Sequence, residues 1–378
     1  MARLTRPPLR VWIWTAATLA LVVVATLLWR GSDAAATSST TAAPADVPPG
    51  APAGAVSEAW SAAADPLPGN VVAEGRVLVG SPHGVRALDP VTGEEAWHYT
   101  RGNAALCGLT VTDGVAVAVF RTEDRCDEAV ALDAGTGVRA WTRNVDFRPE
   151  VTLTATDRIV LAATPTGIVT LDPTGSGIRW RYAPPEGCEF LQSAAGDAGV
   201  AVLQRCAGSS ALQLRLMDGF DGDLHWTRDL PASARATELV GADLPVAVRV
   251  DDEVQLLSSA DGTLLTTLPA DPGAAVRQAA TGTAVLVLTD GTLTALEPGS
   301  ARPLWSVPAT GLPGGAATTE DGAPALPVPT AGGIVHLDPA TGTELGSTAT
   351  PELPDGAVAT VVGPVVVLAH DGEVRAYR

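Results

Sequence analysis

The sequence predicts an all-β fold: an eight-bladed β-propeller closed by an N-terminal strand and preceded by one transmembrane helix and a disordered linker. Three observations lead there. A register with a turn acid at position zero, glycine at plus four and tryptophan at plus eight recurs at spacings of 44, 39, 46, 40, 39, 41 and 40 residues. Short apolar strands lead into each recurrence, and a period of about 40 residues built only of strands reads as a radial propeller. The chain stops at Arg378, one outer strand short of a complete unit, while a lone outer-strand signature, Ser57-Glu-Ala-Trp60, precedes the first full repeat. Pairing the two closes the ring and removes the sheet edges that either would expose.

The N-terminus is a separate physical object. Val11 to Trp29 is 19 residues without a charge, and at about 1.5 Å per residue such a helix reaches roughly 28 Å, enough to cross a hydrocarbon core. Arg3, Arg6 and Arg10 precede it and Arg30 and Asp33 follow, so residues 1–10 are expected as a cytoplasmic tail, 11–29 as a signal anchor, and the C-terminal mass outside. Trp12, Trp14 and Trp29 mark its two ends. A signal peptide cleaved near Ala36, at Ala34-Ala35-Ala36, is the rival reading; signal cores usually run about 7 to 15 residues, which favours the retained anchor. No cysteine lies near the segment to carry a lipid. Residues 31–56 are mostly Ala, Thr, Ser and Pro and are expected to be a disordered tether reaching between about 30 Å as a coil and about 80 Å extended. The propeller, residues 57–378, could then stand clear of the membrane.

Four of the 24 basic residues and none of the 42 acidic ones lie before residue 31, so the exported part carries 20 − 42, or −22. Nucleic acid and anionic lipid surfaces demand a positive face and are not expected as partners. The chain has no lysine and is rich in Ala, Gly, Pro and Arg, a composition that reflects the genome and carries no functional weight.

Along the ring the register is kept unevenly. Asp89, Gly93 and Trp97 fit it, as do Asp133, Gly137 and Trp141, then Asp218, Gly222 and Trp226. The third copy keeps Asp172 and Trp180 but moves its glycine to Gly175 or Gly177. The sixth keeps Trp305 after Glu297 and has Ala301 where glycine is expected. The fifth (Ser258, Gly262, Thr266) and the seventh (Asp338, Gly342, Gly346) lack the tryptophan, and Glu373-Val-Arg-Ala-Tyr377 brings the eighth to the chain end. Three of nine tryptophans belong to the apolar segment. The other six, Trp60, Trp97, Trp141, Trp180, Trp226 and Trp305, share the plus-eight position, where a large ring packs blade against blade and buries about 200 Å².

Four cysteines allow three pairings, and the register selects one. Cys107 and Cys188 each open the innermost strand of a blade, and Cys126 and Cys206 each follow the second strand of that same blade, so Cys107–Cys126 and Cys188–Cys206 are the expected disulfides. An even count suits an oxidising compartment. A redox or metal site would need a Cys-x-x-Cys or a histidine cluster, and the sequence has neither.

Strings such as Val-Arg-Ala-Leu-Asp-Pro-Val-Thr-Gly-Glu-Glu-Ala-Trp97, Val-Ala-Leu-Asp-Ala-Gly-Thr-Gly-Val-Arg-Ala-Trp141 and Ile-Val-His-Leu-Asp-Pro-Ala-Thr-Gly342 resemble the PQQ-like (quinoprotein-type) propeller repeat. That repeat, with its tryptophan docking between blades, occurs in quinoprotein alcohol dehydrogenases and in the barrel-assembly lipoprotein BamB. The resemblance spans residues 57–378 and implies fold far more than function.

The dehydrogenases of that superfamily resemble one another in a vicinal disulfide against the quinone, a calcium site, a catalytic aspartate and long insertions between blades. Here no two cysteines adjoin and the spacings leave no room for such insertions, so no enzyme, no PQQ and no other cofactor is expected. His83, His98, His225, His336 and His370 are scattered through different repeats; His83 and His370 occupy equivalent turns of the first and eighth blades, which turn chemistry explains. Asp113-Gly114, Asp251-Asp252 and Asp218-Gly-Phe-Asp-Gly-Asp223 read as turns, since a calcium loop needs oxygen ligands at several alternating positions. The charged loop Thr122-Glu-Asp-Arg125 reads as solvated. No catalytic or metal-binding residue is assigned.

What remains is asymmetry. Blades five to seven carry the register losses, and Ala323-Pro-Ala-Leu-Pro-Val-Pro329, the expected second strand of blade seven, contains three prolines that remove ladder donors. Repeat drift and a loosely packed binding sector both account for this. The expected function is a non-catalytic interaction scaffold at the cell envelope, monomeric, binding an envelope protein or a cell-wall polymer. The alternative is an extracellular sensor holding a small ligand in the central channel.

Overall fold

The computed structural model describes residues 8–378 except 123, 149, 176, 235, 316, 319–322 and 352, and of residue 146 the backbone only. Arg3 and Arg6 of the expected tail, and Glu123 of the charged loop, lie outside the described residues. Eight antiparallel sheets follow one another around a ring. In each blade the strands are lettered A to D from the centre outward. The AB and CD turns therefore share one face of the ring, and the BC turns and DA connections share the other.

B strands are predominantly apolar and buried on both faces rather than alternating, as in Val246–Val250 of blade 5, where Arg249 is the one charged residue, and Val285–Thr289 of blade 6, both wholly buried. Each blade is covered on both faces by its neighbours, so neither side of these strands meets water. D strands sit at the rim and alternate, as in Leu264–Pro269. Asp113 (φ 47°) with Gly114 (φ 69°), and Asp290 (φ 48°) with Gly291 (φ 73°), make the left-handed two-residue turns that suit the twist of tight hairpins.

Ring closure follows the sequence. Glu58–Ala63 lies antiparallel to Glu373–Tyr377 as strand D of blade 8, with Trp60 opposite Ala376 and Ser61 opposite Arg375. Ser57 and Arg378 exchange backbone hydrogen bonds at 3.1 and 2.9 Å. Leu9–Arg30 is a fully exposed 22-residue helix, long and apolar enough to cross a membrane.

The linker departs from expectation. Residues 31–56 do not form a free tether. Asp33–Ala36 is a short helix, Thr37–Ser39 adds a fifth strand to the outer edge of blade 1, and Val56 is buried between blades 7 and 8. Low apolar content argues against a core of its own, but an unpaired D-strand edge offers backbone partners that need no core.

Blade 7 also departs from regularity, for a legible reason. Thr330 faces Gly333 across a two-residue turn, so by alternation Leu326, Val328 and Thr330 aim their amides at strand C, and positions 327 and 329 face inward. Both are proline and cannot donate. The inner ladder is described only at Ala317↔Ala325 and Thr318↔Pro324. Upstream, Leu312–Pro313 runs parallel to Val358–Ala359 on the inner edge of blade 8. Arg277 of blade 6 donates to the Gly356 carbonyl at that same edge.

Candidate functional site

The repeat residues lock the blades together. The indole N–H of Trp60 donates to the Pro90 carbonyl at 3.0 Å, Trp97 to Ala134 at 3.0 Å, Trp141 to Pro173 at 2.9 Å, Trp180 to Gly219 at 3.1 Å, Trp226 to Ser259 at 2.9 Å and Trp305 to Pro339 at 3.0 Å. Every acceptor is the residue after position zero of the following blade's turn, an acid in all of these but Ser258. The plus-four glycine of that turn carries the ring: a Cβ on Gly93, Gly137, Gly222 or Gly342 would stand 2.5–2.6 Å from the indole of Trp60, Trp97, Trp180 or Trp305 respectively.

The turn acids hold this platform. The Asp89 Oδ1 accepts the Val91 and Thr92 amides at 2.9 Å each, Asp338 accepts the corresponding Ala340 and Thr341 amides, and Asp133 accepts the Thr136 amide. Burial would raise the Asp172 carboxyl, but the Gly175 and Thr174 amides and the Arg179 guanidinium outweigh it and hold it below the usual carboxylate range. Asp218 is held down against its burial by the Phe220 and Asp221 amides. In the third turn Gly175 thus bonds the acid, while Trp141 still finds the Pro173 carbonyl.

The register losses in blades 5 and 6 are one event. Thr266 stands opposite Leu256 as Trp226 stands opposite Leu216, so it is the residue that would dock on the turn of blade 6. With no indole arriving, Ala301 occupies the glycine position at φ 55°, buried between blades 5 and 6 in a cluster with Leu256, Val276 and Leu296. Gly346 of blade 7 has a parallel explanation: the next blade has no CD turn, because its D strand comes from the N-terminus.

The disulfides are Cys107–Cys126 and Cys188–Cys206. Cys126 follows strand B of blade 2 as the first residue of strand C, and Cys107 sits at a bulge in strand A, so this bond links strands A and C. Cys188 and Cys206 face each other directly at the end of the AB hairpin of blade 4. His83 donates to the Ala104 carbonyl at 2.8 Å, and His370 lies 3.6 Å from Asp371. Among the described residues no group of three or more His, Cys, Asp or Glu side chains is placed to hold a metal ion.

Sequence reasoning missed the concave surface beside the Cys188–Cys206 staple. A cavity of about 1050 Å³ opens between blades 4 and 5 on the BC/DA face. Leu191, Leu203 and Leu212 of blade 4 supply its apolar wall, Ala234 and Ala236 the connection between blades, and Arg205, Glu238 and Asp252 a rim of mixed charge. The disulfide bounds the wall: Glu189 and Arg205, 3.7 Å apart, are the next pair along the ladder from Cys188 and Cys206. Across the cavity, Arg249 is 7% exposed and donates to the carbonyls of Asp271 at 2.6 Å, Ala274 at 2.5 Å and Asp251 at 3.2 Å, which fixes the connection to blade 6. Gln192 accepts the Leu239 amide at 2.7 Å and joins the two inner strands. A second cleft of about 520 Å³ between blades 3 and 4 shares Leu191 and Gln192, so one concave strip runs over three blades. Its chemistry is that of a binding surface: branched apolar side chains at the base, both signs of charge at the edge. No local motif announces it, since its residues come from strands and loops of different repeats.

The family model described as outer membrane protein assembly factor BamB matches residues 28–201 and 191–327. The chain belongs to the BamB family. Among solved structures, BamB from Moraxella catarrhalis is 16% identical with a TM-score of 0.49, covering 85% of this chain and 99% of its own. The computationally designed Ika8 protein is 16% identical with a TM-score of 0.50, covering 88% and 99%. The quinohemoprotein alcohol dehydrogenase ADHIIG from Pseudomonas putida HK5 is 13% identical with a TM-score of 0.46, covering 85% and 76%. No curated protein matches the sequence. Membership of the BamB family agrees with the PQQ-like repeat, and the apolar helix and the disulfides are compatible with a membrane-anchored, extracytoplasmic domain.

Proposed function

We propose that this member of the BamB family is a non-catalytic, membrane-anchored scaffold on the outer side of the cell membrane that binds an envelope protein across blades 3 to 5. The observation that carries the reading is the concave strip itself. The tryptophans, glycines and acids of the repeat are consumed in locking the ring, whereas the half-buried Leu191 and Leu212, backed by the core residue Leu203, line open space beneath a charged rim. An apolar centre with a polar edge is how protein interfaces are built. The charge of −22 on the exported part, from 20 basic and 42 acidic residues, favours a protein partner over nucleic acid.

The test is photo-crosslinking in intact cells from a benzoylphenylalanine placed at Ala234, inside the cavity, and at Leu264, on the outer strand of blade 5. A single envelope protein captured from residue 234 and not from residue 264 is the expected result. Equal capture from both positions would remove the cavity from the reading; a bait that captures nothing but carries a small-molecule adduct in native mass spectrometry would replace the scaffold with a ligand-binding module.

A further inference from the structure

The helix Leu9–Arg30 is separated from the first residue bonded to the propeller by Gly31 and Ser32 alone. The Ser32 Oγ accepts the Ala35 amide at 3.3 Å and starts the short helix Asp33–Ala36. Asp33 Oδ1 then lies 3.0 Å from Arg101 Nη2 and accepts a hydrogen bond from Asn103 at 2.8 Å. Arg101 is 1% exposed, stands at the end of strand D of blade 1, and donates through Nη1 to Glu128 of blade 2 at 2.7 Å. One buried guanidinium thus joins blade 1, blade 2 and the segment that leaves the helix.

The attachment continues without a gap. Gly102 donates to the Ala36 carbonyl at 2.7 Å, Thr37–Ser39 pairs with Tyr99–Arg101, and Thr40 and His98 exchange bonds at 2.9 and 3.0 Å. His98 also reaches the Ser38 hydroxyl at 2.9 Å and Glu95 at 2.6 Å. Ala42 donates to Thr136 in the CD turn of blade 2 at 2.9 Å, and Arg76 of blade 1 donates to the Ala43 carbonyl at 3.3 Å. A single ion pair at a surface contributes little. Here a charge bridging two carboxylates is buried beneath a strand pairing, which is a docked element and not a tether.

We propose that residues 33–43 form a latch that seats the rim of blades 1 and 2 at the bilayer surface. The proposal rests on the membrane-anchored reading above and adds to it a fixed, short separation between helix and ring. Two intervening residues span at most about 7 Å, so the propeller has no freedom to stand off or swivel.

The test uses the full chain in phosphatidylcholine vesicles, with nitroxide labels at Leu28→Cys near the end of the helix and Val138→Cys on blade 2, read by pulsed electron paramagnetic resonance. One narrow distance distribution is expected. In Asp33→Ala/Ser38→Pro, which leaves Glu128 to hold Arg101, the distribution should broaden several-fold. A broad distribution in the unaltered chain would overturn the latch. Flotation of the vesicles reports separately on the anchor. Hydrogen exchange at residues 37–42 reports on the latch even in soluble protein, with exchange about 100-fold slower than in the double variant expected and equal rates overturning it.

Discussion

The Trp97 indole rests against Gly137 of the next blade so closely that a Cβ on residue 137 would stand 2.6 Å from its Cδ2, while the indole N–H donates to Ala134 at 3.0 Å. Tryptophan and glycine are therefore one joint contributed by two repeats, and the ring is a chain of such joints.

Gly137→Ala should destabilise the propeller by about 2 to 4 kcal/mol, because it places a side chain at φ 73° and drives it into the buried Trp97 ring. Gly299→Ala, at φ 78° with no heavy atom within 4 Å of the new Cβ, has the backbone cost without the collision. It should lose only about 1 to 2 kcal/mol. Urea unfolding of the two variants measures the difference, and equal losses would refute the joint.

The missing joint between blades 5 and 6 can be rebuilt. Thr266→Trp alone should not stabilise the protein, since the Ala301 methyl occupies the landing site. Combined with Ala301→Gly it should gain at least about 1 kcal/mol beyond the sum of the single changes, a coupling a double-mutant cycle resolves.

Each disulfide closes a short loop, with sequence separations of 19 and 18 residues. Loop-closure entropy assigns about 3 kcal/mol to a loop of this length. Cys188→Ser/Cys206→Ser should lower the melting temperature and also loosen the cavity wall, read as faster hydrogen exchange at residues 189–192 and 203–205. A melting temperature unmoved by the substitution would show that the hairpin holds without its staple.

Asp243, in the AB turn of blade 5, is pushed up to about 6 by burial, with the Asp197 amide opposing and the Asp197 charge adding to the shift. Its folded value lies above its unfolded one, so the native state binds the extra proton, and stability falls as pH rises from about 4 to about 6. The loss is roughly 3 kcal/mol at most. Asp172, Asp218 and Asp338 are shifted downward and act in the opposite sense, at lower pH. Asp243→Asn should flatten the profile between pH 4 and 6 in thermal melts and raise stability at pH 7.5. An unchanged slope would assign the pH dependence elsewhere.

The sequence by itself determined the number of blades, the strand that closes the ring and the residues at each joint, because most repeats state both their local turn and their outward ring: Asp89 to Trp97 contains one half of each of two different joints, Gly93 for Trp60 and Trp97 for Gly137. The PQQ-like resemblance rests on the same local strings. It did not disclose that Thr266 and Ala301 are the two halves of one absent joint, since they stand in successive repeats and a joint becomes visible only when one blade is laid on the next. It suggested disorder for residues 31–56, because composition reports the absence of a core and not the presence of an unpaired strand edge nearby. The prolines of blade 7 were visible, but that the inner segment Leu312–Pro313 would move to blade 8 depended on which way positions 327 and 329 face in the ladder. The cavity between blades 4 and 5 was decided by tertiary structure alone: Leu191, Leu203, Ala234 and Arg249 carry no common motif, and concavity is a property of how blades sit side by side, which no single repeat encodes.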